Sequence, residues 1–182
     1  MPNESMRLSR KIAAMVAAFT VLGAAFPSSA RGETVYYAVS RGQHFETQTW
    51  HTGDLDEFKQ KRPDNVFDFY TFKRLTDGTS KVVREMSTPS GDWFLILTYV
   101  YGKTNRLNRI DFDFRTFNGV CPCGETGPVR CQRSYTADKY GHLRKDSELI
   151  INLNTGNAVD WTFHEPKLRH WAKLSQLPIK PR

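Results

Sequence analysis

Apolar and polar residues trade places with period two along much of this chain. In Ile110-Asp111-Phe112-Asp113-Phe114-Arg115-Thr116 the apolar positions fall on every second residue. Successive side chains of a strand point to opposite faces, so Ile110, Phe112 and Phe114 are expected on one buried face. Asp111, Asp113 and Arg115 then share the wet one. Phe67-Asp68-Phe69 opens a similar strand, and Val159-Asp160-Trp161-Thr162-Phe163-His164 reads as the last one. Trp93-Phe94-Leu95-Ile96-Leu97 is apolar on both faces, which predicts a central strand.

Turn signals punctuate these runs. Asp77-Gly78 predicts a hairpin between the strand ending near Leu75 and the one around Val82-Val83. Pro89 to Asp92 turns into the central strand, Gly102 to Asn105 turns out of it, and Asn154 to Asn157 joins the last two strands. Two stretches echo each other, Tyr99 to Leu107 and Tyr135 to Leu143. They share Tyr, Lys, an Asn or Gly turn residue, and Leu at matching positions. Asn and Gly both tolerate the left-handed turn conformation, so the echo predicts two similar hairpins, not a repeat array.

Helical signals are few. Asp54 is placed to cap a short helix from Leu55 to Lys61, stopped by Pro63. Pro166 suits the first position of a helix running to Leu177, with Leu168, Trp171, Leu174 and Leu177 on one face. The expected fold is therefore mainly β: an antiparallel meander, curled or barrel-like, with a short N-terminal helix and a C-terminal amphipathic helix.

Residues 1–30 break the pattern. Arg7, Arg10 and Lys11 precede an apolar run, Ile12 to Phe26, then Pro27 and the small residues Ser28-Ser29-Ala30. This is the order of a cleavable secretory signal, and the run is short of the ~20 residues of a membrane span. The expectation is a leader over residues 1–30 and a single β-rich domain over 31–182, delivered to the periplasm or secreted. No other run approaches spanning length.

The chain carries a net charge of +7. The leader accounts for three cations and one carboxylate, so the mature domain is mildly basic. Its charges are scattered apart from Lys59, Lys61 and Arg62 and a C-terminal group of Lys167, Arg169, Lys173, Lys180 and Arg182. Such a surface favours an anionic ligand or partner. The compartment disfavours nucleic acid.

Candidate chemistry comes from three places. All three cysteines fall in Cys121-Pro122-Cys123…Cys131. An oxidising compartment favours a disulfide there. Cys123 to Cys131 is the expected pairing, with Cys121 as the alternative partner, stapling a loop of roughly ten residues. The odd thiol leaves two other uses open: thiol exchange, or a zinc site completed by His142. Neither a metal nor a cofactor is expected.

Asp111 and Asp113 with a histidine, His164 first, form the one acid/base constellation to test. The sequence has no Gly-x-Ser-x-Gly elbow, P-loop, dinucleotide-binding glycine motif or His-Glu-x-x-His motif. That balance favours a binding or interaction protein over an enzyme. Its contact residues are expected among the aromatics Tyr36, Tyr37, Trp50, Tyr99 and Tyr101. The alternatives are a small secreted hydrolase using Asp111, Asp113 and a histidine, or a thiol-redox or zinc protein using the cysteine loop.

Overall fold

The alternation read in the sequence becomes one antiparallel ladder. Its strands are β1 (Thr34–Arg41), β2 (Thr47–Thr52), β3 (Asp68–Arg74), β4 (Ser80–Ser87), β5 (Trp93–Tyr101), β6 (Leu107–Val120), β7 (Thr126–Ala137) and β8 (Leu143–Asn152). They lie side by side in the order β2-β1-β3-β4-β5-β6-β7-β8. The one α-helix among the described residues, α1 (Leu55–Lys61), follows β2. The computed structural model describes residues 34–41, 47–61 and 66–179, and of residues 40, 41 and 47–51 only the backbone. The predicted leader over residues 1–30 lies outside the described residues. Among the described residues, no helix is long and apolar enough to cross a membrane.

Register sorts the side chains. Leu97 pairs with Phe112 and Tyr99 with Ile110, so the odd positions of β5 and the even ones of β6 share a face. That face carries the main core: Tyr70, Phe72, Val82, Leu95, Leu97, Tyr99, Ile110, Phe112 and Phe114 are all nearly free of solvent. β5 is half-buried on its second face as well, as its double apolar pattern predicts.

The sheet is open. Among the described residues, β2 and β8 have no pairing with each other, so the barrel-like closure is not realised. The chain protects its last edge by other means. After β8 it folds back, pairing Ile151 with Ala158, and Val159 donates to the Ile150 carbonyl at 2.9 Å. Earlier in β8, Arg144, Lys145, Asp146 and Glu148 line the strand, and charge on an edge discourages further pairing.

The C-terminal part departs most from expectation. Residues 159–164 form no ladder strand, making only the bridge Val120–Thr162. Residues 166–177 form no amphipathic helix, only a 3-10 turn at Leu174–Gln176. This extended segment crosses the core face and acts as its second layer. Leu168, Trp171, Leu174 and Leu177 do pack on the core, as their spacing suggested. The backbone takes another form because the sheet offers it partners. Tyr99 donates its hydroxyl to the Arg169 carbonyl at 2.9 Å and Tyr101 donates to that of Trp171 at 3.3 Å. Leu107 N–H donates to Ala172 and Leu174 N–H to Asn105. These groups satisfy a backbone that a helix would otherwise have satisfied internally.

On the opposite face, α1 covers β1 and β3. Asp54 Oδ1 accepts the Glu57 N–H at 2.7 Å, a helix N-cap. Phe58 is buried with Ala38 and Val66, against Tyr36 and Phe69.

Candidate functional site

The aromatic residues expected to meet a ligand are mostly structural. Tyr37, Tyr99 and Tyr101 are buried in the core, and Tyr36 packs under Phe58. Trp50 pairs with Ala38 in the ladder, but its side chain lies outside the described residues. Burial pushes the phenols of Tyr99 and Tyr101 well above their ordinary range. Their hydroxyls are spent on holding the C-terminal segment. Tyrosines in alternating strand positions of high aromatic content look the same in sequence whether they face core or partner.

The acid/base constellation is not assembled either. Asp111 and Asp113 stand on the face of β6 opposite the core. His164 belongs to the segment that covers the core face, two residues past its bridge to Val120. The sheet separates them. Asp113 instead accepts two hydrogen bonds from Arg130, at 2.9 and 2.6 Å, and a longer one from Arg115. Partial burial pushes its carboxyl up, but the Arg130 hydrogen bonds and the two guanidinium charges outweigh this and hold it below the usual range. Asp111 pairs with Arg109 at 2.7 Å. Arg115 and Arg130 stand directly opposite each other across β6 and β7. Like charges opposed in this way repel, and Asp113 between them relieves it.

The cysteines are arranged otherwise than expected. Cys121 and Cys123 are bonded to each other across a Cα–Cα distance of 5.2 Å, and Cys131 is a buried free thiol. The predicted Cys123–Cys131 staple is therefore replaced. The reason is the length of β7. It starts at Thr126, so Cys131 is a strand residue, paired with Phe114 and aimed into the core. Burial pushes its thiol up to about 11. Cys123 stays exposed in the β6–β7 turn. The zinc alternative fails on distance. His142 lies beyond the far end of β7, a strand of twelve residues and about 40 Å at ~3.4 Å per residue. There it faces Asp138 at 3.1 Å.

A concave site does form, at the other end of the sheet from the cysteines. It is an open notch of about 360 Å³ between the β5–β6 turn, the β7–β8 turn and the C-terminal segment. Arg106, Lys139 and Lys173 bring positive charge to it, with Tyr140 and the backbone of Gly141 and Ala172 completing the wall. The two turns are the pair of hairpins that echo each other in sequence. Each turns through a left-handed residue, Asn105 at φ 59° and Gly141 at φ 90°. The echo was legible, but its meeting with residues 172–173 was not, because the three segments come together only through the C-terminal crossing.

Local contacts fix the notch. Arg106 donates to the Lys139 carbonyl at 2.7 Å, tying one turn to the other. Lys173 bridges back to Arg106 through the backbone. A Cβ on Gly141 would lie 2.5 Å from that of Ala172, so only glycine lets the turn approach so closely. Lys139 Nζ lies 4.9 Å from the Tyr140 ring centre, and Tyr140 is largely exposed. Asp138 is the one carboxylate lining the notch. It accepts the N–H groups of Tyr140 and His142 at 2.8 and 2.9 Å. Desolvation, the largest single influence, raises its carboxyl, but these bonds and His142 together outweigh it and hold the carboxyl below the ordinary range. Its charge is committed to the turn.

No family model, characterised protein or solved structure matches the chain.

Proposed function

We propose that the chain is an exported binding protein of the periplasm or extracellular space that takes an anionic group in the notch between Arg106, Lys139 and Lys173. The observation that carries this reading is the charge balance of that cavity. Three cations line it, and its one carboxylate is already used by backbone donors. Three cations against one carboxylate leave the notch with an excess of positive charge, and a phosphate, sulfate or carboxylate offsets that excess while gaining charge-assisted hydrogen bonds. The exposed Tyr140 ring supplies an apolar wall beside the anion position, which suits a ligand with an organic body.

The elsewhere abundant charge does not compete for this role. Asp113 is clamped by Arg130, and Arg133 is held by Glu148 and by Glu165, at 2.6 and 2.7 Å. These are structural pairs. The leader over residues 1–30 supports export on sequence grounds.

The test is a titration of the mature protein with inorganic phosphate, followed by amide chemical shifts. The expected result is saturable movement of the Lys139, Gly141 and Lys173 amides, with an affinity near 1 mM, about 4 kcal/mol, lost in Lys139→Ala/Lys173→Ala. Shifts scattered over the surface, or none at the notch, would reject the reading. Export is tested by the mass of the protein recovered outside the cytoplasm, expected to begin after Ala30.

A further inference from the structure

The Cys121–Cys123 bond is hard to account for as a staple. A bridge between residues two apart closes so short a loop that it removes little freedom from the unfolded chain. The turn is also held without it. Cys121 N–H donates to the Glu125 carbonyl and Gly124 N–H to that of Cys121, both at 2.9 Å, and Val120 N–H reaches Thr162 at 2.8 Å. The ladder continues through Val120–Thr126 and Gly119–Gly127. None of these bonds involves either sulfur.

The two sulfurs are not equivalent. Cys123 is exposed in the turn, while Cys121 is 7% exposed. An incoming nucleophile therefore meets Cys123 first. The Cys123 N–H points at Cys121 Sγ from 3.1 Å. A donor so placed stabilises negative charge on Cys121, the sulfur that would leave. The Glu125 carboxylate comes within 4.8 Å of both sulfurs, an acceptor for the proton of an incoming thiol. Two large apolar side chains, Phe117 and Val120, are exposed on the strand end that leads into the turn. They offer a surface for an unfolded or extended polypeptide.

We propose that this disulfide is an exchange site that oxidises dithiols on polypeptide substrates. A substrate thiolate attacks Cys123 Sγ, the Cys121–Cys123 bond breaks, and Cys121 leaves as a thiolate that takes up the proton. The second substrate thiolate then attacks the substrate sulfur of the mixed disulfide and releases Cys123 as a thiolate. The substrate gains a disulfide and loses two electrons and two protons. The protein ends as the Cys121/Cys123 dithiol. The same exchange in reverse, with a disulfide on a partner protein, restores the starting state. Cys131 takes no part, because it is enclosed in the core.

The experiment mixes oxidised mature protein with an equimolar reduced peptide carrying two cysteines, followed by acid quenching, alkylation and mass mapping. The expected result is one oxidised peptide per chain, with label at Cys121 and Cys123 and none at Cys131 until denaturant is added. Peptide oxidation at least tenfold faster than in air alone is expected. Cys121→Ser mixed instead with the oxidised peptide should trap a mixed disulfide, formed as the Cys123 thiolate attacks the peptide disulfide and one peptide thiolate leaves, with near-ultraviolet circular dichroism reporting its fold. Peptide that oxidises no faster than the air control would overturn the proposal. So would label on Cys131 at the same rate as on Cys123, or protein isolated without reductant carrying three alkylatable thiols. The wild-type exchange rate decides the matter if the variant does not fold.

Discussion

The Arg84 guanidinium holds the Asp68 carboxylate through two parallel hydrogen bonds, Nε to Oδ1 at 2.8 Å and Nη2 to Oδ2 at 2.6 Å. Arg84 is 2% exposed and lies on the core face of β4. It is enclosed by the rings of Tyr70 and Trp171, 5.3 and 5.7 Å from the guanidinium carbon. Burial works against its charge, but the Asp68 pairing outweighs it and raises the guanidinium above its ordinary range. Arg84 thereby links the C-terminal segment, through Trp171, to the first residue of β3.

Removing one partner leaves the other charge without its match. Asp68→Ala is expected to cost about 3–5 kcal/mol. Replacing both, as Asp68→Leu with Arg84→Met, is expected to recover most of that loss, since an apolar pair needs no desolvation. Urea denaturation of the two single variants and the double variant checks this. A double variant no more stable than Asp68→Ala would show that the ion pair is worth more than its packing.

The Tyr99–Arg169 and Tyr101–Trp171 hydrogen bonds predict a local effect. Tyr99→Phe keeps the ring in place and removes one donor, for a cost of about 1 kcal/mol. The C-terminal segment should open more often than the sheet does. Hydrogen exchange at the Leu107 and Leu174 amides, which bond to residues across that junction, should quicken before exchange in β5 and β6 changes. Uniform acceleration throughout the sheet would mean that the segment and the sheet unfold as one unit.

The sheet was legible where alternation was strong and unambiguous. Ile110, Phe112 and Phe114 share the core face, and Asp111 and Asp113 the other, because a half-buried strand leaves no other arrangement. The hairpin at Asp77-Gly78 was legible from turn chemistry, and Asp77 Oδ1 accepts the Thr79 N–H at 2.8 Å. β7 was obscured. Three cysteines, two prolines and two glycines drew attention to a loop, while Val129 and Cys131 already showed the alternation of a strand. Residues 166–177 depart from the expected helix for a different reason. Apolar spacing says which residues pack on the core, and Leu168, Trp171, Leu174 and Leu177 do. It does not say which groups satisfy the backbone, and here tyrosine hydroxyls and strand-end amides do so.

Gly141 and Gly91 give a controlled comparison for the notch. Both have positive φ, 90° and 74°, but a Cβ at Gly91 meets nothing within 4 Å whereas one at Gly141 meets Ala172 at 2.5 Å. Gly91→Ala should cost only backbone strain, about 1–2 kcal/mol. Gly141→Ala adds overpacking of about 1–3 kcal/mol and pushes the turn away from Ala172. It should also weaken phosphate binding several-fold, while Gly91→Ala leaves it unchanged. Thermal melts and the phosphate titration together separate the two effects.

Alkaline pH offers a test of where Cys131 sits. Its thiol is raised from 9.0 to about 11, chiefly by burial. Between those values the unfolded chain has lost the proton and the folded one has kept it. More protons are then bound in the folded state, so stability falls as pH rises. The loss should begin near pH 9, before the tyrosines of the unfolded chain ionise at about 10. Tyr99 and Tyr101, also raised by burial, then add to the slope. Cys131→Ala should remove the early part of the decline and leave the later part. Urea midpoints measured from pH 7 to 10.5 report both phases. An unchanged slope between pH 9 and 10 in Cys131→Ala would show that this thiol is not enclosed, and would return it to the set of groups able to react with Cys121 and Cys123.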